Sequence, residues 1–417
     1  MGGVFERLAG GERDILRELA RRQLEAANSE KNLRRVEEWK KHNALTGERP
    51  MIHIEIDTFE QEVIAPRLRC ETNLGRRLER DLWHSFLNLT EFDDDRVVPD
   101  YFGVTVGTWF HPFGHVVTQH NAVDADGGKS LGHQFDYWIS DLEEDWGKLQ
   151  KSDFGADLSG TEAYRAAAEA AFGDLLPVRL DGACLYAVPT QQVVHLMGME
   201  QMCYALYDCP ELFLKMMDRL AEDYLSFFRY LEGEGLLYPT TGFQNVAQGS
   251  MAFTGELRQE RPLRTTDLWG FLDSQETVSI SPEMFREFVF PCYRKIADCF
   301  GLLSYGCCEP VHPVWDMVKT LPNLRKVSVS PWCDQRFMAE VLRGSRTIFH
   351  RKPSPNYLGM GAALDEEAFR AHISETIQLA RGCELEITQR DVYTVGGDVG
   401  KVKRYVEIIR EEIETHW

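Results

Sequence analysis

From about residue 178 to the C-terminus, short apolar runs alternate with amphipathic helical stretches, a rhythm that reads as parallel βα units. Expected strands fall at residues 302–304, 327–330, 347–349 and 385–388. Helical stretches separate them at 314–319, 336–342, 366–381 and 399–414. Capping chemistry marks the helix boundaries. Asp208 with Cys209 and Pro210 opens a stripe of Phe213, Met216, Met217, Leu220, Tyr224 and Phe227 that Gly233 and Gly235 stop. Ser281-Pro282-Glu283 opens the next helix, which Gly301 closes. Strand spacings of roughly 20 to 40 residues suit an α/β fold of the (β/α)8 TIM-barrel type.

The first half is less regular. Residues 12–43 lack proline and place Leu33, Val36 and Trp39 at helical spacing among charges, so they read as one or two amphipathic helices. Such helices pack on the body or on a second copy, which leaves a homodimer open. The first strand is M-I-H-I-E-I at residues 51–56, giving an N-terminal helical extension over 1–50 and a barrel over 51–417. A looser stretch follows, with D-D-D at 93–95 and F-G-V-T-V-G-T-W-F-H-P-F-G-H at 102–115, before an alanine-rich helix at 156–171.

Charge narrows the partners. Sixty-six acidic against 46 basic residues give a net charge of -20, which argues against nucleic acid or an anionic membrane and for a small molecule or a protein. No apolar run approaches the ~20 residues that span a bilayer, and the start has no signal-peptide layout, so a cytoplasmic protein is expected. Ten scattered cysteines do not resemble a secreted disulfide framework and read as core residues with a few metal ligands.

Chemistry concentrates behind the expected strands. Y-G-C-C-E-P-V-H-P at residues 305–313 sets two thiols, a carboxylate and an imidazole at one strand end. Cys333 and Asp334, then His350, Arg351 and Lys352, then Arg390 and Asp391 follow the later strands. In a barrel these loops converge on one mouth. Strand alternation puts Tyr305, Cys307 and Glu309 on one face and Cys308 on the other, which favours Cys307 as a ligand. Thiolate, imidazole and carboxylate together can hold zinc with one position open. The plainer alternative is a set of core cysteines and capping residues.

Several blocks carry a family resemblance: L-M-G-M-E-Q-M at 196–202, Y-D-C-P-E-L at 207–212, I-S-P-E-M-F-R-E-F-V-F-P at 280–291, L-S-Y-G-C-C-E-P at 303–310 and R-K-P-S-P at 351–355. Over about residues 178–414 the chain resembles the uroporphyrinogen decarboxylase superfamily, which also contains zinc-dependent methyltransferases serving corrinoid proteins. The R-Q-A-G-R element of the true decarboxylases is absent. Where the coenzyme M methyltransferases carry a His-x-Cys zinc pair, this chain has Tyr305 and Cys307. Arg390 and Asp391 replace a later cysteine ligand.

The resemblance implies a substrate-side methyltransferase. A methyl group would leave a small methoxylated or N-methylated donor for the Co(I) corrinoid of a partner protein, with zinc as Lewis acid. Cys307, Cys333 and Glu309 would hold the metal, with His350 as fourth ligand or proton donor. Glu309, His350, Glu276 and Asp391 are the expected catalytic groups. Trp109, His111, Tyr305, Trp332, Lys352 and Arg390 are the expected substrate contacts. Two alternatives stand beside it: a cofactor-independent decarboxylase of an acidic substrate, and a non-catalytic barrel that binds a small ligand.

Overall fold

Seven parallel strands carry the body of the protein: β1 (Met51–Ile54), β2 (Leu185–Ala187), β3 (Trp269–Leu272), β4 (Leu302–Tyr305), β5 (Leu324–Val329), β6 (Ile348–Arg351) and β7 (Leu385–Gln389). They are hydrogen-bonded in the order β1-β7-β6-β5-β4-β3-β2. The computed structural model describes residues 8–123, 130–246 and 248–417.

One face of the sheet is apolar, with Ile52, Ile54, Val327, Val329, Phe349, Leu385 and Ile387 buried in the main core. The opposite side chains are polar and equally buried: His53, Lys326, Ser328, His350, Glu386 and Thr388. A parallel sheet covered on both sides is normally apolar throughout. The exception arises because a short hairpin, Asn245–Val246 paired with Ser250–Met251, meets His53, Lys326, Glu386 and Thr388. Gly249 fits there because it takes φ 87° and because a Cβ would stand 2.6 Å from Nδ1 of His53.

A buried ionic cluster ties the layers together. Lys326 Nζ donates to Glu386 Oε2 at 2.9 Å, to Asn43 Oδ1 at 2.6 Å and to Ser250 Oγ at 2.5 Å. Ser250 Oγ donates to the same Glu386 oxygen at 2.9 Å, and His42 Nε2 lies 3.1 Å from it. Burial would raise the Glu386 carboxyl, but Lys326, His350 and His42 hold it well below the usual range.

His42 and Asn43 end the second of two N-terminal helices, α1 (Glu12–Ala27) and α2 (Glu30–Asn43). The inner face of α2 is Asn32, Arg35, Trp39, His42 and Asn43, whereas Leu33, expected on the apolar stripe, is 55% exposed. The helix is oriented by hydrogen bonds as much as by its apolar residues.

The D-D-D stretch finds its purpose at the edge of β1. Asp95 Oδ2 accepts the Ile52 amide and Asp94 Oδ2 the Ile54 amide, each at 2.8 Å, while Asn88 Nδ2 donates to the Ile54 carbonyl at 2.7 Å. These groups satisfy the strand edge without a neighbouring strand. The strand that would follow in a barrel, Phe102–Thr105, pairs with Val178–Asp181 instead. Among the described residues, then, hydrogen-bonded ladders form an open seven-stranded sheet and not a closed ring of eight.

Other expectations shift locally. Asp208 ends the helix Pro189–Asp208, and Cys209 precedes the next, Pro210–Gly233, without a side-chain cap. Ser281 caps as expected, accepting the Met284 amide. The looser first half contains antiparallel pairs, Gly107–His111 with Asp153–Asp157 and Gln119–Val123 with Ser130–Phe135. Among the described residues no helix is long and apolar enough to cross a membrane.

Two buried histidines give the fold a pH signature. Burial lowers His53 and His350 from 6.5 to about 3, with Arg96 adding to the effect at His53 and Glu386 opposing it at His350. An unfolded chain takes up these protons near pH 6.5, the folded chain only near pH 3, so stability is intact above pH 6.5 and falls as the pH drops through this window. Thermal melts should show a declining Tm from pH 6.5 to 4. A Tm that stays flat over that range would contradict the assignment.

Candidate functional site

At the ends of β3, β4, β6 and β7 a set of polar side chains meets around Cys307. Gly306, at φ 95°, turns the chain directly after β4 and breaks the strand alternation. As a result Cys307 and Cys308 do not face opposite ways: their sulfurs lie 3.5 Å apart. Cys307 Sγ is 3.2 Å from Gln248 Oε1 and 3.5 Å from an Arg390 terminal nitrogen, and Cys308 Sγ is 3.3 Å from Asp391 Oδ2.

Cations crowd this thiol. Lys352 Nζ donates to Gln248 Oε1 at 3.0 Å and to the Cys307 carbonyl at 3.2 Å. Arg390 Nε pairs with Glu55 Oε2 at 3.0 Å, and its guanidinium lies 3.3 Å from Asp391 Oδ1. The neighbouring Cys308 thiol, then Lys352 and Arg390, outweigh burial and bring Cys307 down to about 7. Cys308 moves the other way, raised first by its contact with Cys307 and then by burial. Iodoacetamide should therefore label Cys307 with a half-maximal rate near pH 7 while sparing Cys308. Lys352→Met should move that midpoint upward, and peptide mass mapping across pH checks both. Labelling of Cys308 first, or an unchanged midpoint in the variant, would contradict the geometry.

Acids gather on the β3 side. Asp273, directly after β3, is 1% exposed, and its Oδ1 has no hydrogen-bond partner. Burial first, then repulsion from Glu309, Cys307 and Glu276, raises its carboxyl well above the usual range and favours its protonated form. Glu276 is also raised by burial, although Thr190 Oγ1 donates to it at 2.8 Å. The Thr190 hydroxyl lies 2.8 Å from that of Tyr293, which donates to the Asp273 carbonyl at 2.6 Å.

The remaining expected residues divide. Glu309 is a brace: Oε1 accepts the Ser274 amide at 2.9 Å and Oε2 the Cys307 amide at 2.8 Å, which fixes the ends of β3 and β4 together. Tyr305 is fully buried, its hydroxyl 2.6 Å from Ser274 Oγ. His350 lies within β6 and not past its end, because the strand runs on to Arg351. Both its ring nitrogens are engaged, Nε2 at 2.8 Å from Thr388 Oγ1 and Nδ1 at 3.2 Å from Glu386 Oε1. The Cys333 sulfur accepts the Val311 amide at 3.1 Å and belongs to the apolar core. Trp109 and His111 both lie against Asp153 of the antiparallel partner strand, at 3.1 and 3.2 Å. Trp109 also lines a cavity of about 210 Å³ together with Tyr186. Trp332 is 73% exposed on the loop after β5.

The four expected zinc ligands are thus not gathered. Among the described residues no group of three or more His, Cys, Asp or Glu side chains is arranged to hold a metal ion. Cys333 and His350 are each spent on partners away from Cys307, and Glu309 is spent on backbone amides.

No family model matches the chain, and no curated protein matches it. Among solved structures it is similar to a methyltransferase from Methanosarcina mazei, with a TM-score of 0.42 and 13% identity over 70% of this chain and 75% of that one.

Four residues of the site escape sequence reasoning: Gln248, Asp273, Tyr186 and Glu55. Asp273 was open to the same post-strand rule that selects Cys307, had residues 269–272 been read as a strand. Tyr186 stacks on Phe271 at 4.7 Å, and its hydroxyl is raised by burial and by nearby Asp273. Gln248 sits at φ 63° on the turn of the hairpin, where no local pattern announces a contact with Cys307.

Proposed function

We propose that the chain is a substrate-side methyltransferase that moves a methyl group from a small methoxylated compound to the Co(I) corrinoid of a partner protein. The observation that carries this reading is Asp273: a buried carboxyl with one oxygen unpartnered, in surroundings that favour its protonated form, beside an aromatic wall and an ionisable thiol. A methyl ether is a poor electrophile because its oxygen leaves as an alkoxide or phenoxide. A proton delivered from Asp273 to that oxygen as the carbon–oxygen bond breaks removes the difficulty. Repulsion from Glu309 and, more weakly, from Glu276 favours the proton on Asp273. Tyr186, partly exposed and backed by the buried Phe271, supplies a stacking surface for an aromatic donor. The partner's corrinoid would supply the nucleophile.

The same acid serves oxygen better than nitrogen, since a quaternary nitrogen has no lone pair to protonate before the methyl leaves. Methoxylated donors are therefore favoured over N-methylated ones. In this reading the seven-stranded sheet, with Phe102–Thr105 as the eighth strand, makes up the (β/α)8 barrel that the resemblance implies. The donor set does not fit zinc, and a proton takes the place of the Lewis acid. About one zinc per purified chain, lost in Cys307→Ala and in Cys333→Ala, would contradict this part of the reading.

A second reading has its own support. Lys352 and Arg390 stand beside Cys307, and Lys352 also acts on Asp273, which is the equipment for orienting a carboxylate and protonating the carbanion left by carbon dioxide. The deciding experiment incubates the enzyme with methoxylated aromatics and Co(I) cobalamin or the cognate corrinoid protein, and in parallel with carboxylic acids alone. Loss of the Co(I) absorbance that depends on a methoxylated donor supports methyl transfer. Release of carbon dioxide with no corrinoid present supports the decarboxylase.

A further inference from the structure

A second cleft of about 590 Å³ opens beside β1, where the strand edge is capped by Asp94 and Asp95 and, among the described residues, no further strand is paired to it. Its lining is rich in charge, and most of that charge is spoken for. Asp81 accepts the Tyr164 hydroxyl at 2.6 Å. Asp181 accepts from Gln244 at 2.6 Å and from the Tyr101 hydroxyl at 3.2 Å. Arg80 and His84 lie against Glu60 at 3.8 and 2.7 Å.

Two charges remain. Asp57 is exposed at the rim, and among the described residues it has no ion pair and no side-chain hydrogen bond. Arg96 is half-buried and, among the described residues, has no carboxylate partner; there its side chain makes a 3.5 Å approach to His53 Nε2. Both lie close enough to His53 to act on its ring, with opposite signs, yet they do not pair with each other. A half-buried guanidinium without a counter-ion is unusual in a chain of net charge -20. A carboxylate and a guanidinium that line one cleft and leave each other free present a complementary pair of contacts to a molecule carrying both charges.

We propose that this cleft binds a small zwitterion, its carboxylate on Arg96 and its ammonium on Asp57. Tyr101 and Phe243, edge to face at 6.1 Å, supply the apolar side of the cleft for the chain between the two charges. A simple anion would meet the repulsion of Asp57, and a simple cation that of Arg96. The proposal is independent of methyl transfer, because binding is read without corrinoid and without turnover.

Isothermal titration of the full chain tests it with ω-amino acids of two to six carbons and with the carboxylates and amines of matched length. At least one ω-amino acid should bind more tightly than both its matched carboxylate and its matched amine. Arg96→Met should weaken that binding by about tenfold or more, the effect of losing one charge-assisted contact. Asp57→Asn should remove the preference over the matched carboxylate. Arg96→Lys, which keeps the charge and loses the fork, should fall between, and melting curves of each variant verify folding. The proposal is overturned if no ω-amino acid binds, if the matched carboxylate binds equally well to the wild type, or if a folded Arg96→Met variant binds as the wild type does.

Discussion

Lys326→Met should destabilise the protein by about 3–5 kcal/mol, the usual cost of stripping one partner from a buried ion pair. Lys326 and Glu386 are 0% and 1% exposed, and their 2.9 Å contact lies between the sheet, the hairpin and the end of α2. Without the ammonium, Glu386 keeps its charge against His42, Ser250 and His350 alone. Urea denaturation should show the midpoint falling with little change in slope. The double variant Lys326→Met, Glu386→Gln should recover part of the loss, because no uncompensated charge is then left inside. A single-variant loss below about 1 kcal/mol, the range of an exposed pair, would mean that the cluster is solvated.

The parts of the fold legible in the sequence are those where one side chain answers to one local rule. The strands β4, β5, β6 and β7 and the helices between them followed from apolar period and caps, to within a few residues at their ends. The polar face of the sheet was invisible because His53, Lys326 and Glu386 look like surface residues until the hairpin carrying Gly249 and Ser250 is known to meet them. That contact joins residues far apart in sequence, and no spacing rule reaches it.

The site was legible in the same uneven way. Cys307, Cys308, Lys352, Arg390 and Asp391 do meet, because each follows a parallel strand and such strands deliver their ends to one side. His350 does not join them, since β6 runs two residues past the expected end and turns its imidazole into the ionic cluster. The face assignment of Cys308 failed for a backbone reason: alternation holds only within a strand, and Gly306 ends it at φ 95°.

Asp273→Asn should slow methyl transfer by ~10²–10⁴-fold, the range of a general acid's contribution, with the fold intact. Asparagine keeps the shape and removes the transferable proton. The wild-type rate should fall at high pH as this carboxyl ionises, because its raised value places the active, protonated form on the acid side.

The most direct measurement follows a series of aryl methyl ethers whose leaving phenols differ in acidity, with loss of Co(I) absorbance timed for wild type and Asp273→Asn. If Asp273 protonates the leaving oxygen, the two rates should differ most for the least acidic phenol and converge as the phenol becomes acidic enough to leave unaided. A constant ratio along the series, or a wild type that leaves the Co(I) absorbance unchanged with every donor while releasing carbon dioxide from a carboxylic acid, would contradict the account.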